Sequence, residues 1–233
     1  MRLYFLDKIR GYAIILMIIF HIFVAANIFN SDYYNLNSTP LYEIGFISRT
    51  TLILLFGISL YLSYINSKNI IEYKKKQLKR IKTLLICAII ITISTYIFIP
   101  DKYIVFGILH FFAISGLILY NFVDNIPVLL SIFIFVIIFN NLNQYHSSQS
   151  YFTGMFIPFY KNTIDHFFIF KYINVIIFGI LLAHFINYNF NKSNTKNLQK
   201  NNKTLIDKIG QNTLLIYMIH IPILYIIFYY INN

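Results

Sequence analysis

Apolar residues gather in seven runs near the ~20-residue length that a bilayer-spanning helix requires: roughly Ile9 to Phe29, Glu43 to Tyr64, Lys79 to Ile99, Tyr103 to Phe122, Pro127 to Leu142, Phe167 to Asn187 and Gly210 to Ile231. The fifth run is short. Polar segments separate them: an Asn/Tyr/Ser loop from Asn30 to Tyr42, the basic stretch KNIIEYKKKQLKRIK, tight turns at IPDKY and NFVDNIP, a Ser/Gln/Tyr-rich loop from Asn143 to His166, and a second basic loop from Asn189 to Lys208. The pattern predicts an all-α, polytopic transmembrane helix bundle of about seven spans. A single domain covers residues 1–233, with basic cytoplasmic loops at about 65–80 and 189–208.

Charge orients the bundle. Arg2, Lys8 and Arg10, the seven cations from Lys68 to Lys82 and the five from Lys192 to Lys208 supply fifteen of the nineteen Lys and Arg. All fifteen fall on one side if the N-terminus is cytoplasmic, which is the orientation that the positive-inside rule selects. A formal net charge of +11 also suits a nucleic-acid binder, but here the cations sit in connections between apolar runs, not on the face of a soluble fold. With 58% hydrophobic and 12% charged residues, the expected location is the cell membrane, as a multi-pass protein. The lone Cys87, inside an apolar run, excludes a disulfide framework and a Cys-based metal site, and no metal is expected. The first run has the basic start of a secretory signal, but its apolar core is too long and His21 interrupts it.

Ionisable residues inside apolar runs carry the candidate chemistry, because burying one in hydrocarbon costs roughly 2–3 kcal/mol even on the lenient insertion scale. Arg10 and His21 are eleven residues apart in the first run. In a helix that spacing returns to within ~20° of the same face and separates the side chains by ~16 Å along the axis. His110, in the oppositely directed fourth run, reaches a similar depth, and the expectation is that His21 and His110 share a hydrated cavity. Arg49 arrives at nearly the same level, and Asp165 with His166 lies at the outer mouth of the sixth run. His220 is near the midplane of the seventh, on one face with Tyr217 and Thr213, and Pro222 loosens the backbone beside it. Blander roles compete. A membrane histidine bonded to a neighbouring helix accounts equally for His220, His184 reads as interfacial, and Gly57, Ser59 and Ser63 read as a helix-packing seam.

A histidine with a pKa near neutrality can take a proton from an amine or hydroxyl as it attacks a carbonyl. Arg10 at the cytoplasmic mouth suits a phosphate-bearing donor, assisted by Lys79 and Arg80 ahead of the third run. A CoA thioester reaching in from the cytoplasm fits both ends. No nucleophile elbow, phosphate-binding loop or H-E-x-x-H motif accompanies them. Direct transfer to an acceptor is therefore the simplest chemistry.

Several stretches together resemble a known family: the R-G-x-A-x-x-x-M-x-x-x-H pattern from Arg10 to His21, Phe56 to Leu60, Ile91-Thr92 and Thr95-Tyr96, Phe106 to His110, Asp165, Gly179, and Gly210 to Pro222 including Asn212. In order and over nearly the whole chain they are similar to the small prokaryotic members of the heparan-alpha-glucosaminide N-acetyltransferase catalytic-domain family. The Arg-to-His spacing also resembles the first-helix motif of the acyltransferase-3 membrane enzymes. The resemblance implies an acetyl-CoA-dependent membrane acyltransferase that passes an acetyl group to an amino or hydroxyl group of an extracytoplasmic glycan or small acceptor. Acetyl-CoA is then a cosubstrate, with no tightly bound cofactor. The site expected from the residues themselves has His21 and His110 as catalytic residues and Arg10, Lys79 and Arg80 at the donor. Arg49, Asp165, Tyr217, His220 and Asn212 lie around the acceptor. The eukaryotic heparan enzyme supplies a histidine from the loop after the first span, and Asn30 to Tyr42 contains none. Expected partners are acetyl-CoA, a sugar or small-molecule acceptor, the lipid bilayer and a second copy of the chain, with no nucleic acid. The rival reading is a membrane transporter or proton-coupled carrier using the same buried His, Arg and Asp residues. Such carriers pair broken helices, for which Pro222 is the one sequence candidate.

Overall fold

The computed structural model describes residues 4–29, 34–36, 38–142, 153–156, 163–189 and 204–232. Arg2, His146 and the cations from Lys192 to Lys203 lie outside them. Among the described residues every regular element is helical: α1 (Tyr4–Phe29), α2 (Leu41–Ile65), α3 (Ile70–Phe98), α4 (Ile108–Leu119), α5 (Ile126–Leu142), a 3-10 turn (Thr153–Met155), α6 (Ile169–Asn189), α7 (Leu205–Gln211) and α8 (Thr213–Asn232). Four of them, α1, α2, α3 and α6, are long and apolar enough to cross a membrane, and α7 with α8, bent by 88°, qualifies together as a fifth. α3 shows the membrane pattern plainly. It buries Leu84, Ala88 and Thr95 and exposes Ile86, Ile90, Ile93 and Ile97, apolar surface that water would not tolerate over such a length.

Three expectations need correction. The basic stretch after α2 is not a loop: α3 begins at Ile70. Asn69 caps it by accepting from the Glu72 amide (2.8 Å), Glu72 reaches back to the Lys68 amide (2.9 Å), and the same carboxylate pairs with Lys76 (2.8 Å). Strong helix formers follow these caps, so the helix starts well before the apolar run. The fourth run is helical only over Ile108–Leu119, which is ~18 Å of helix against the ~30 Å of a bilayer's hydrocarbon core. The last run is broken at Asn212. Its first part is α7, opened by a capping box in which Thr204 and Asp207 bond each other's backbone amides.

The chain divides into two compact units, residues 1–55 with 189–233 and residues 56–188, and the boundary falls inside α2. In the first unit α1 packs against α7 and α8. A Cβ on Gly210 would run into the Asp7 carbonyl and the Gly11 amide, and one on Gly11 into the Ile206 carbonyl. This backbone-on-backbone crossing is one that only glycine permits. The start of α2 joins α1 through Gly45, set against the Phe20 ring, and through Ser48, whose hydroxyl donates to the Ala13 carbonyl (3.0 Å). In the second unit α3 packs on α4, and Gly57 lies against the backbone of Ile176 in α6. The close-packing seam expected on α2 is therefore present at Gly57. Phe111, Leu119, Leu129, Ile176 and Ile180 fill the core of this unit.

Candidate active site

Unit 1 presents its ionisable residues along α1. Asp7, in the first turn and 1% exposed, accepts from Arg10 Nη1 at 2.8 Å. The i, i+3 spacing brings the two side chains together on one helix face, and an acid in the first turn favours the helix dipole. Arg10 is thus held in place by a buried carboxylate. Sequence reasoning missed Asp7, although D-x-x-R at the head of an apolar run was a legible signal.

His21 follows on the unbroken helix. Its Nδ1 lies 2.8 Å from the Met17 carbonyl. A carbonyl only accepts, so Nδ1 carries the hydrogen and the Nε2 of the neutral ring is left as a proton acceptor. Against it stands His220 of α8, with ring centroids 5.0 Å apart and planes at 80°. His220 is held in the same way, Nδ1 to the Tyr217 carbonyl at 2.7 Å, and the buried Tyr217 ring lies 5.3 Å away. The unit therefore brings together His21, His220 and Tyr217. Asn212 is elsewhere on the same unit: exposed at the bend, it closes α7 by donating to the Lys208 carbonyl (2.9 Å). Arg49 has its Nε buried without a hydrogen-bond partner, and its guanidinium carbon is 5.7 Å from the Tyr42 ring and 5.6 Å from the Phe46 ring.

Unit 2 holds the remaining candidates. Thr92 and Thr95 of α3 grip Ile104 by both backbone groups: Thr92 Oγ1 donates to its carbonyl (2.9 Å) and Thr95 Oγ1 accepts from its amide (3.1 Å). That grip holds the residues before α4 extended, where Phe106 pairs with His166 and accepts from the Phe167 amide (2.9 Å). Asp165 Oδ2 then sits 3.4 Å from the Ile108 amide, at a helix start whose own N-cap, Gly107, has no side chain to offer. His110, one turn on, has Nε2 3.5 Å from Thr92 Oγ1 and its ring 5.6 Å from Phe106. Thr92 and Thr95 were legible only as part of a family pattern. Their work is to shape the approach to α4. His166 donates through Nε2 to the Gly154 carbonyl (2.8 Å), and burial pushes its pKa below the ordinary histidine value, opposed by that bond. His184, expected at an interface, donates to the Val123 carbonyl (2.7 Å), and its ring lies 3.9 Å from that of Tyr61 at a tilt of 38°.

The two donor-side cations differ. Lys79 is exposed on α3, whereas Arg80 lies 4.4 Å over the Phe56 ring, itself stacked on Phe112 at 4.6 Å.

Helices long and apolar enough to cross a membrane, with histidine and arginine held by hydrogen bonds inside them, define the class: an all-helical protein with candidate membrane spans and polar side chains fixed among them. The chain matches the family described as heparan-alpha-glucosaminide N-acetyltransferase, catalytic, over residues 2–222, and belongs to that family of acetyltransferases. No curated protein and no solved structure matches it.

Proposed function

We propose that this chain is a multi-pass cell-membrane enzyme that takes an acetyl group from cytoplasmic acetyl-CoA and passes it to an amine or hydroxyl of an extracytoplasmic glycan or small acceptor. The observation that carries the reading is α1 itself. Its guanidinium is anchored by Asp7 at one end, and one face further along holds an imidazole whose Nδ1 is already committed to Met17. Family membership supplies the reaction class. Arg10 grips a phosphate of the donor through its fork, and Lys79 and Arg80 are further candidate cations for the donor. His21 moves the proton of the attacking amine or hydroxyl by way of its Nε2, and His110 is the second candidate base. Arg49, Asp165, Tyr217, His220 and Asn212 serve the acceptor side. The N-terminus is cytoplasmic, and the chain makes about seven passes as one transmembrane domain, α4 and α5 counting as passes despite their length.

Titration of the purified protein with acetyl-CoA tests the donor. Saturable binding that weakens about tenfold or more in Arg10→Lys, which keeps the charge and loses the fork, supports the reading. Absence of binding in the wild-type protein overturns it.

A further inference from the structure

We propose that His220 receives the hydrogen of the acceptor nucleophile and works as one unit with His21, an inference that rests on the acetyltransferase reading and gives His220 a chemical part in it. His220 is 6% exposed, and its Nε2 is buried with no hydrogen-bond partner among the described residues. With Nδ1 donating to Tyr217, that Nε2 is a bare lone pair in the neutral ring. A buried acceptor left unpaired is destabilising, so a site that preserves one is built for a donor. His21 cannot be that donor while neutral, because its own hydrogen is on Nδ1, bonded to Met17. A packing role does not need the nitrogen. An amine or hydroxyl entering beside the two rings offers the N–H or O–H that Nε2 lacks.

The step balances as follows. The nucleophile's N–H or O–H points at His220 Nε2 while its lone pair attacks the thioester carbonyl carbon. A carbon–nitrogen or carbon–oxygen bond forms, the carbon–sulfur bond breaks, and its electron pair leaves on sulfur. The proton passes to the histidine pair and then to the CoA thiolate. The products are an acetylated acceptor and free thiol. With ring centroids 5.0 Å apart, two imidazolium cations repel, so the pair takes up one proton at a time.

The test compares His220→Phe, His21→Phe and the double variant for turnover of acetyl-CoA with glucosamine as acceptor, and for acetyl-CoA binding. Each single variant is expected to lose about a hundredfold or more in kcat with acetyl-CoA affinity within about twofold of wild type, and the double variant is expected to be no slower than the slower single. Wild-type kcat in His220→Phe, or single losses that multiply in the double, overturns the proposal. Ring nitrogen-15 spectra of the wild-type protein need no variant. Protonated Nδ1 on both histidines, with the His220 Nε2 signal moving on addition of glucosamine, supports the pair. A protonated Nε2 on His220 overturns it. Wild-type protein that binds no acetyl-CoA sinks the enzyme reading instead, and the spectra still report on the pair.

Discussion

Asp7 is the residue on which the donor end of α1 turns. It is 1% exposed and its partner Arg10 reaches it at 2.8 Å, so removing the guanidinium takes a countercharge away from a buried carboxylate. Arg10→Ala is expected to destabilise the protein by roughly 3 kcal/mol, read as a lowered thermal midpoint in detergent. Asp7→Asn with Arg10→Ala together should recover much of that loss, since no charge is then left buried. Arg10 was legible in the sequence from its place in an apolar run, and Asp7 was not weighed because it stands at the border where acids are ordinary. His21 and His220 were both legible as ionisable groups in hydrocarbon, but their meeting was not, since periodicity orders residues along one helix and says nothing of which helix lies alongside. His166 gives a pH effect. Its pKa is lowered by burial, so its neutral form belongs to the folded state. The stability it contributes is present above the ordinary histidine value of about 6.5 and is lost as pH falls through the lowered folded value. Protection of the Phe167 amide, its exchange rate set against the intrinsic rate at each pH, should therefore fall as pH drops below about 6.5 in wild type and lose that dependence in His166→Asn. A pH-independent protection in wild type would contradict this.

Among the elements, the crossing of α1 and α7 is the tightest. A Cβ on Gly210 meets the backbone of Asp7 and Gly11, which cannot swing aside as a side chain can. Gly210→Ala should cost at least about 1–3 kcal/mol by overpacking and, by pushing α7 off the turn that carries Arg10, weaken acetyl-CoA binding as well. Gly116→Ala is the milder comparison, since the added methyl would meet the Phe56 ring edge at 3.3 Å. Equal thermal midpoints for these two variants would refute the backbone-crossing argument. The sequence predicted most of α1, α2 and α6 to within a few residues of their ends because each is a long apolar run. It failed where polar atoms override the run. Thr92 and Thr95 capture Ile104 and delay α4, the Asn69 and Glu72 caps start α3 early, and the α7–α8 bend falls at Asn212 inside a pattern that reads as continuous.

For the whole molecule, the all-helical class with helices long and apolar enough to cross a membrane and the family were both legible, the first from run length and the second from a series of short patterns matched by the family over residues 2–222. The number of passes was less so. Hydropathy counts apolar residues whether or not they are helical, and length leaves four or five spanning helices, with α4 and α5 short. The orientation proposed from the cations has its own test: a cysteine placed in the exposed first turns of α3, for example Lys75→Cys, should react with an impermeant thiol reagent only from the cytoplasmic side. The central claim is that His21 moves the acceptor's proton in an acetyl transfer, and the most direct measurement is the single-turnover rate of labelled acetyl transfer by wild type and His21→Ala at saturating acetyl-CoA. The account predicts a loss of about a hundredfold or more with donor affinity kept, and equal rates in the two proteins would contradict it.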